Sequence, residues 1–127
     1  MTTFGYGLAS AADGRVYDWV FPIGTTYWGQ MAAMIEYLGQ KAGGINNLKG
    51  KKIAFMYHDS AFGKEPIPVL DALGAKLGFE VLKIPITPPG QTQESQWLQA
   101  RQAKPDFAIV WTFGVMSTVA LKTAAKT

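Results

Sequence analysis

Three neighbouring residues, His58, Asp59 and Ser60, have the most evident chemical capacity in the chain, since they supply a base, a carboxylate and a hydroxyl. A histidine beside a carboxylate could act as a general base for a hydroxyl nucleophile. Consecutive side chains rarely turn toward one another as a triad, however, and a histidine at a strand end usually makes a local hydrogen bond. We therefore expect no catalytic role for these residues and no enzyme activity.

Other enzyme and cofactor motifs are incomplete. Gly5 and Gly7 lack the third glycine of a dinucleotide fingerprint, and Gly63-Lys64 is followed by glutamate where a phosphate loop has serine or threonine. The chain has one histidine and no cysteine, so a histidine-rich or thiolate metal site cannot be built. We expect neither a cofactor nor a metal.

Aromatic side chains are more informative, because several stand at or near predicted loops. They are Tyr6, Tyr57, Phe62, Trp111 and Phe113. Aromatic rings with a few polar groups commonly line small-molecule clefts. Tyr57 and Trp111 could equally be core residues of strands, whereas Phe62 and Phe113 have no obvious packing role.

The elements that position these residues are organised around one apolar run, Ile53–Tyr57, which is closed by Asp59, Ser60 and Gly63. Such a run is typical of a strand buried on both faces that ends in a functional loop. The remainder of the chain repeats this unit. The pattern predicts a helix from Glu65-Pro66 to a left-handed cap at Gly78, a strand at 79–86, a helix at 93–104, a fully buried strand at 107–112 and a helix at 117–126.

Alternating strands and helices predict an α/β fold, with a doubly wound parallel sheet between two helical layers. In such a sheet the second and third strands lie on opposite sides of the first, and ligands bind beyond the carboxyl ends of the strands where the order reverses. Two predicted loops meet there, at 58–64 and 113–117. In the helix at 93–104 we expect Trp97, Leu98 and the stem of Arg101 to face inward.

The first part of the chain is less regular. Tyr17–Phe21 has the composition of a short strand, but no partner strand is evident nearby. A long amphipathic helix follows, capped by Thr25 or Thr26 and ended by Gly43-Gly44, and its aromatic and methionine stripe is expected to be core. Three parallel strands make a thin sheet, so the chain is expected to be a piece of a larger α/β protein.

Composition excludes several classes of protein. The chain has 127 residues, 48% hydrophobic and 17% charged, with a net charge of +3, which is ordinary for a globular domain. Its one basic cluster, Lys49–Lys52, precedes a buried strand and is interpreted as a solvated turn, so we expect no nucleic-acid partner. No stretch is apolar enough to cross a bilayer, and the first residues lack the pattern of a signal peptide.

The segment HDSAFGKEPIPVLDALGAKLGFEV, which begins at His58, resembles the periplasmic substrate-binding proteins of branched-chain amino-acid ABC transporters. GYGLASAADGRVYDWVF, from Gly5, is similar to the end of that family's first lobe, and DFAIVWTFG, from Asp106, to a strand whose following loop reaches the cleft. The segment Gln91–Gln93 resembles an intervening loop. The similarity extends over nearly the whole chain, and it consists of loose sequence patterns with no catalytic signature.

The resemblance implies a type I periplasmic-binding fold of two α/β lobes that close over a ligand. Residues 1–26 would be the end of the first lobe and the hinge crossing, and 27–127 the incomplete first half of the second. Tyr6, Gly7 and Ser10 would hold a ligand carboxylate, and the wall of the second lobe would be formed by Phe62, Trp111 and Phe113. Phe62 stands where many amino-acid binders carry tyrosine, so an aromatic or other organic acid is as plausible a ligand as an amino acid.

The function implied is the ligand-binding component of an ABC transporter for branched-chain amino acids or related small organic acids. Its partners would be that ligand and an ABC permease in the membrane, and the intact protein would be periplasmic. Two alternatives remain: the ligand-sensing domain of a receptor, which would share the fold, and a flavodoxin-like domain, which would show a phosphate loop or an acidic cluster after the first strand.

Overall fold

The computed structural model describes residues 2–4 and 21–126 of the chain. The strands are β1 (Thr2–Phe4), β2 (Phe21–Ile23), β3 (Lys52–His58), β4 (Glu80–Ile86) and β5 (Phe107–Trp111). The helices are α1 (Tyr27–Lys41), α2 (Ala61–Lys64), α3 (Ile67–Leu77), α4 (Glu94–Ala103) and α5 (Val115–Ala124), with a 3₁₀ turn at Ile45–Leu48. From β3 onward, helices separate the strands as the sequence predicts, but the short helix α2 lies within the segment 58–64 that was expected to be a loop.

The main sheet is parallel and has the strand order β4-β3-β5. Met56 in the middle of β3 lies opposite Ile84 of β4 and Val110 of β5, which fixes the register on both sides. The predicted reversal of strand order next to β3 is therefore confirmed. The carboxyl ends of β3 and β5 lie side by side at the edge where a doubly wound sheet binds ligands.

A second, two-stranded sheet corrects one expectation. The strand predicted at Tyr17–Phe21 was expected to have no partner, but β2 pairs in parallel with β1, Thr3 lying opposite Pro22. Residues 17–20 of that prediction lie outside the described residues. β1 cannot be predicted from the sequence, because a strand of three residues is too short to show an alternating pattern.

Side chains on the two faces of the main sheet form two separate cores, since successive strand residues point to opposite sides. On one face, helices α1 and α3 cover a cluster of Met31, Ile35, Leu48, Ile53, Phe55, Tyr57, Leu70, Phe79, Ile109 and Trp111. On the other face, α4 and α5 cover Ala54, Met56, Ile84, Ile86, Ala100 and Met116. These helical layers on both faces confirm the predicted three-layer α/β fold.

Two helix ends follow the sequence closely. The Thr26 side chain caps α1 by accepting a hydrogen bond of 3.0 Å from the Gly29 N–H. Helix α3 ends at Gly78, whose φ of 77° lies in the left-handed region that glycine adopts without strain. Both caps agree with the residue types at these positions. Thr26 marks the start of α1, and Gly78 marks the end of α3.

Two expectations about side-chain burial are wrong. In α4 the residues facing the sheet are Trp97 and Ala100, so Leu98 is 52% exposed and Arg101 is exposed. Strand β5 was expected to be fully buried, yet Ala108 is exposed on the face toward α4 and α5. In the described residues β5 is an outer strand of the sheet, which explains why that face is only partly covered.

The basic cluster is engaged in ion pairs within the fold. Lys51 Nζ lies 2.8 Å from Asp106 Oδ1, and Lys52 Nζ lies 3.9 Å from Glu80 Oε2. These contacts agree with a turn at the amino-terminal edge of the sheet. Among the described helices, none has the length and apolar character needed to span a bilayer.

Asp106 gives the fold a pH dependence that can be measured. Hydrogen bonds from the Lys51 ammonium and the Lys52 N–H lower the pKa of its carboxyl below 3.8. A carboxyl with a lowered folded-state pKa stabilises the fold above its unfolded-state pKa, and this contribution is lost as the pH falls through the folded-state value.

We therefore expect Asp106→Asn to lower the thermal midpoint slightly near pH 7, because the carboxylate is exposed and screened by solvent. The difference from the unaltered protein should shrink as the pH falls below 3.8. Midpoints measured by circular dichroism between pH 7 and pH 3 check this. A difference that stays constant over this range would exclude the Asp106 charge as its cause.

Candidate functional site

The carboxyl ends of β3 and β5 bring the predicted wall residues together. Phe62 lies in α2, Trp111 ends β5 and Phe113 lies in the loop before α5. The Phe62 ring is stacked on Trp111, with ring centroids 5.9 Å apart and planes at 20°. It meets Phe113 edge-on, with centroids 5.5 Å apart and planes at 74°. Three residues chosen from sequence thus form one contiguous surface.

Two more rings complete what we call the aromatic cluster, which consists of Tyr27, His58, Phe62, Trp111 and Phe113. Tyr27, the first residue of α1, meets Phe62 and Trp111 edge-on at 5.1 Å and 5.9 Å between centroids. His58 lies stacked on Phe113 at 4.9 Å and 16°. Offset stacked and edge-on pairs are the arrangements that aromatic rings prefer, so the cluster holds its own shape.

Sequence reasoning missed Tyr27, and it placed His58 in a loop at this edge with a local hydrogen bond but did not predict its contact with Phe113. Tyr27 stands next to the capping threonine, and this position alone could have placed it near a helix end. The neighbouring Trp28 fixes that helix end in space, since its Nε1 donates a hydrogen bond of 2.9 Å to the Glu65 carbonyl. This bond ties the start of α1 to the segment between α2 and α3.

His58, Asp59 and Ser60 do not form a triad. His58 Nδ1 lies 2.8 Å from Ser60 Oγ, but the Asp59 carboxylate turns away and pairs with Lys64 Nζ at 2.7 Å. That bond and the Asp59 charge raise the pKa of the Lys64 ammonium. The geometry agrees with the expected local hydrogen bond of a histidine at a strand end.

Ser60 also caps α2, because its Oγ accepts a hydrogen bond of 3.3 Å from the Gly63 N–H. We expect Ser60→Ala to cost about 1 kcal/mol of stability or somewhat more, through loss of this cap and of the hydrogen bond to His58. Urea unfolding should show a lower midpoint at an unchanged slope. The matched control is Ser95→Ala, since Ser95 is exposed and its hydroxyl donates to the neighbouring Gln96 side chain, which is also on the surface of α4. Equal losses in both variants would contradict the capping role.

Exposure differs sharply within the aromatic cluster. Trp111 is 7% exposed, and its Nε1 is buried without a hydrogen-bond partner among the described residues. Phe113 is 60% exposed, and Phe62 is half-buried between them. The cluster therefore has a buried floor at Trp111 and an open side at Phe113. Tyr57 lies outside it, buried and stacked on Phe55 with centroids 5.2 Å apart, as a core residue.

The loop that carries Phe113 is held from both sides. The Thr112 hydroxyl in this loop lies 2.9 Å from the Ser117 hydroxyl in α5. The second support comes from the fully buried Gln93. Its Nε2 donates hydrogen bonds to the carbonyls of Gly90 and Met116, at 2.8 Å and 2.9 Å. This amide connects the loop after β4 to the start of α5, so it helps to position Phe113.

The remaining predicted site residues, Tyr6, Gly7 and Ser10, lie outside the described residues. A separate surface groove of about 420 Å³ lies beyond β4, lined by residues from Thr87 to Gln96. No group of three potential metal ligands occurs within residues 21–126 or 2–4.

Comparison with known proteins agrees with this architecture. A solved protein described as an ABC transporter permease from the Pseudomonas fluorescens group matches with a TM-score of 0.91 and 45% identity, over 98% of this chain and 30% of its own. A branched chain amino acid ABC transporter protein from Thermus thermophilus, solved with bound valine, matches with a TM-score of 0.76 and 21% identity, over 92% of this chain and 29% of its own. At that identity the likeness shows the fold alone.

A third structure, a fatty acid ABC transporter substrate-binding protein from Thermomonospora curvata, matches with a TM-score of 0.64 and 25% identity, over 72% of this chain and 23% of its own. This chain thus spans less than a third of the length of each of these proteins. A comparison with curated proteins finds no match. A family model described as periplasmic binding protein matches residues 2–127, and the chain therefore belongs to the periplasmic binding protein family.

Proposed function

We propose that this chain forms part of the ligand-binding component of an ABC transporter that takes up a small organic acid or a branched-chain amino acid. The observation that carries the proposal is the aromatic cluster at the carboxyl ends of β3 and β5, where a doubly wound sheet binds its ligand. Its half-buried and exposed rings offer an apolar wall, which is typical of small-molecule sites.

In this proposal the chain binds its ligand without catalysis. Residues 27–127 supply the first half of the second lobe, and 1–26 supply the end of the first lobe and the hinge crossing. Tyr6, Gly7 and Ser10 hold the ligand carboxylate from the first lobe, opposite Phe62 and Phe113. The protein acts in the periplasm and delivers its ligand to a membrane permease, in keeping with its family.

The ligand proposed is broader than an amino acid for a chemical reason. Phe62 has no hydroxyl, so this position lacks the polar group that a tyrosine would offer. The solved relatives also differ in what they bind, one being described with valine and another as a fatty acid transporter protein. The apolar part of either an amino acid or another organic acid could contact these aromatic rings.

The test is thermal unfolding of the full-length protein, including any sequence that its gene encodes beyond these 127 residues, against a panel of amino acids and of aliphatic and aromatic acids. A ligand that binds only the folded state adds about 2.7 kcal/mol of stability at about 100 times its Kd. We expect one class of acid to raise the midpoint. A well-folded protein that no acid stabilises would contradict the proposal.

A transporter component and a receptor domain would give the same shift, so a second measurement separates them. Deleting the gene in its host should abolish uptake of the identified acid. Unchanged uptake, together with loss of a transcriptional or motile response to that acid, would favour the receptor.

A further inference from the structure

We propose that His58 contacts the ligand through Nε2 and selects acids that carry, outside the first carboxylate, a further oxygen that can accept a hydrogen bond. This inference rests on the proposed function and adds the chemical class of the ligand. His58 ends the central strand β3 and lies between two loops, stacked on Phe113 at 4.9 Å and edge-on to Phe62 at 6.2 Å. His58 therefore belongs to the aromatic cluster at the carboxyl ends of β3 and β5.

The hydrogen bond to Ser60 engages one of the two ring nitrogens of His58. Ser60 Oγ accepts from the Gly63 N–H at 3.3 Å, and it lies 2.8 Å from His58 Nδ1. The serine hydroxyl can either accept a hydrogen bond from Nδ1 or donate one to it. In the proposed arrangement it donates, and a neutral imidazole that accepts at Nδ1 carries its proton on Nε2. The Nε2 atom is then a donor.

The Nε2 atom has no hydrogen-bond partner among the residues that the structure describes. The His58 ring is half-buried, with one face covered by Phe113. In the proposed tautomer the aromatic cluster therefore presents an N–H donor beside apolar ring surface.

This combination matches a particular kind of acid. The apolar part of the ligand contacts the rings of Phe62 and Phe113, and an oxygen on that part accepts a hydrogen bond from Nε2. A hydroxyl, a carbonyl or a second carboxylate would serve. A site that offers a hydrogen bond discriminates against an analogue without the oxygen, because the donor is then left unpaired as the ligand covers it.

The test compares matched pairs of acids by calorimetry with the full-length protein. One pair is 4-hydroxyphenylacetate and phenylacetate, and the other is glutarate and pentanoate. In at least one pair we expect the oxygenated acid to bind about fivefold to tenfold more tightly. His58→Phe keeps a ring to stack on Phe113 but removes the donor, so it should abolish the preference for the oxygenated acid.

Asp59→Asn is the matched control, because Asp59 pairs with Lys64 outside the aromatic cluster, and it should keep the preference. A second measurement avoids substitution. The His58 Nε2 signal in ¹⁵N NMR should shift with the oxygenated acid and stay in place with the plain one. This signal also decides the question where His58→Phe fails to fold.

The outcomes separate the two proposals. Acids that bind without preference, or a preference that survives in His58→Phe, would overturn the role of His58 and leave the proposed function intact. Failure of all four acids to bind would overturn the role of His58 alone, whereas failure of every amino acid and organic acid in the thermal-unfolding panel would overturn the proposed function and the role of His58 with it.

Discussion

Gly63→Ala should destabilise the fold by about 3 kcal/mol, which is a large effect for the addition of one methyl group. A Cβ at Gly63 would overlap the carbonyl oxygen of His58, a backbone atom that cannot move without displacing the end of β3. The same substitution would move helix α2, which carries Phe62. Urea unfolding should therefore show a much lower midpoint than that of the unaltered protein.

Gly74→Ala is the control for this prediction, because Gly74 is also buried within a helix. Its Cβ would lie 3.1 Å from the Phe79 carbonyl oxygen and 3.3 Å from the Phe79 ring, which is tight but not overlapping. Alanine also favours the helix by about 1 kcal/mol relative to glycine, which offsets part of the crowding. Equal costs at both positions would show that the contact with His58 is not the cause.

Phe62→Ala should weaken ligand binding by about thirtyfold, which corresponds to about 2 kcal/mol. Phe62 touches four other rings, and its removal leaves a gap between the buried Trp111 and the exposed Phe113. The ligand loses an apolar contact and the neighbouring rings lose their support. Calorimetry on the full-length protein, with an acid identified by thermal unfolding, measures the change in Kd.

Phe107→Ala separates binding from general destabilisation. Phe107 is half-buried on the same face of the sheet, but it begins β5 at the opposite edge. Its removal should lower stability and leave the Kd of the folded protein unchanged. If both variants lose affinity equally, or if Phe62→Ala loses none, the aromatic cluster is not the ligand wall.

Much of the fold can be predicted from local patterns. The apolar run of β3, the helical spacing of apolar residues in α3 and the glycine after it each have a single sensible interpretation, and the observed bounds agree within a few residues. The strand order also follows, because the pattern of strands and helices admits few topologies. Phe62, Trp111 and Phe113 could be chosen because they fall at strand ends on the same edge.

The features that local patterns do not predict depend on contacts between distant segments. Tyr27 joins the cluster because the bond between Trp28 and Glu65 places the start of α1 there, and no local pattern indicates this bond. The stacking of His58 on Phe113 links two residues far apart in the chain in the same way. The prediction that Leu98 faces inward is wrong because a helix with few apolar residues gives a weak periodic signal. In the structure, Trp97 and Ala100 pack against the sheet instead.

A crystal structure of the full-length protein with the acid identified by thermal unfolding would test the ligand wall most directly. We expect the apolar part of the acid to lie within about 4 Å of the Phe62 and Phe113 rings. An acid bound in the groove between Thr87 and Gln96, or anywhere else that leaves both rings without contact, would contradict the assignment of these rings as the wall.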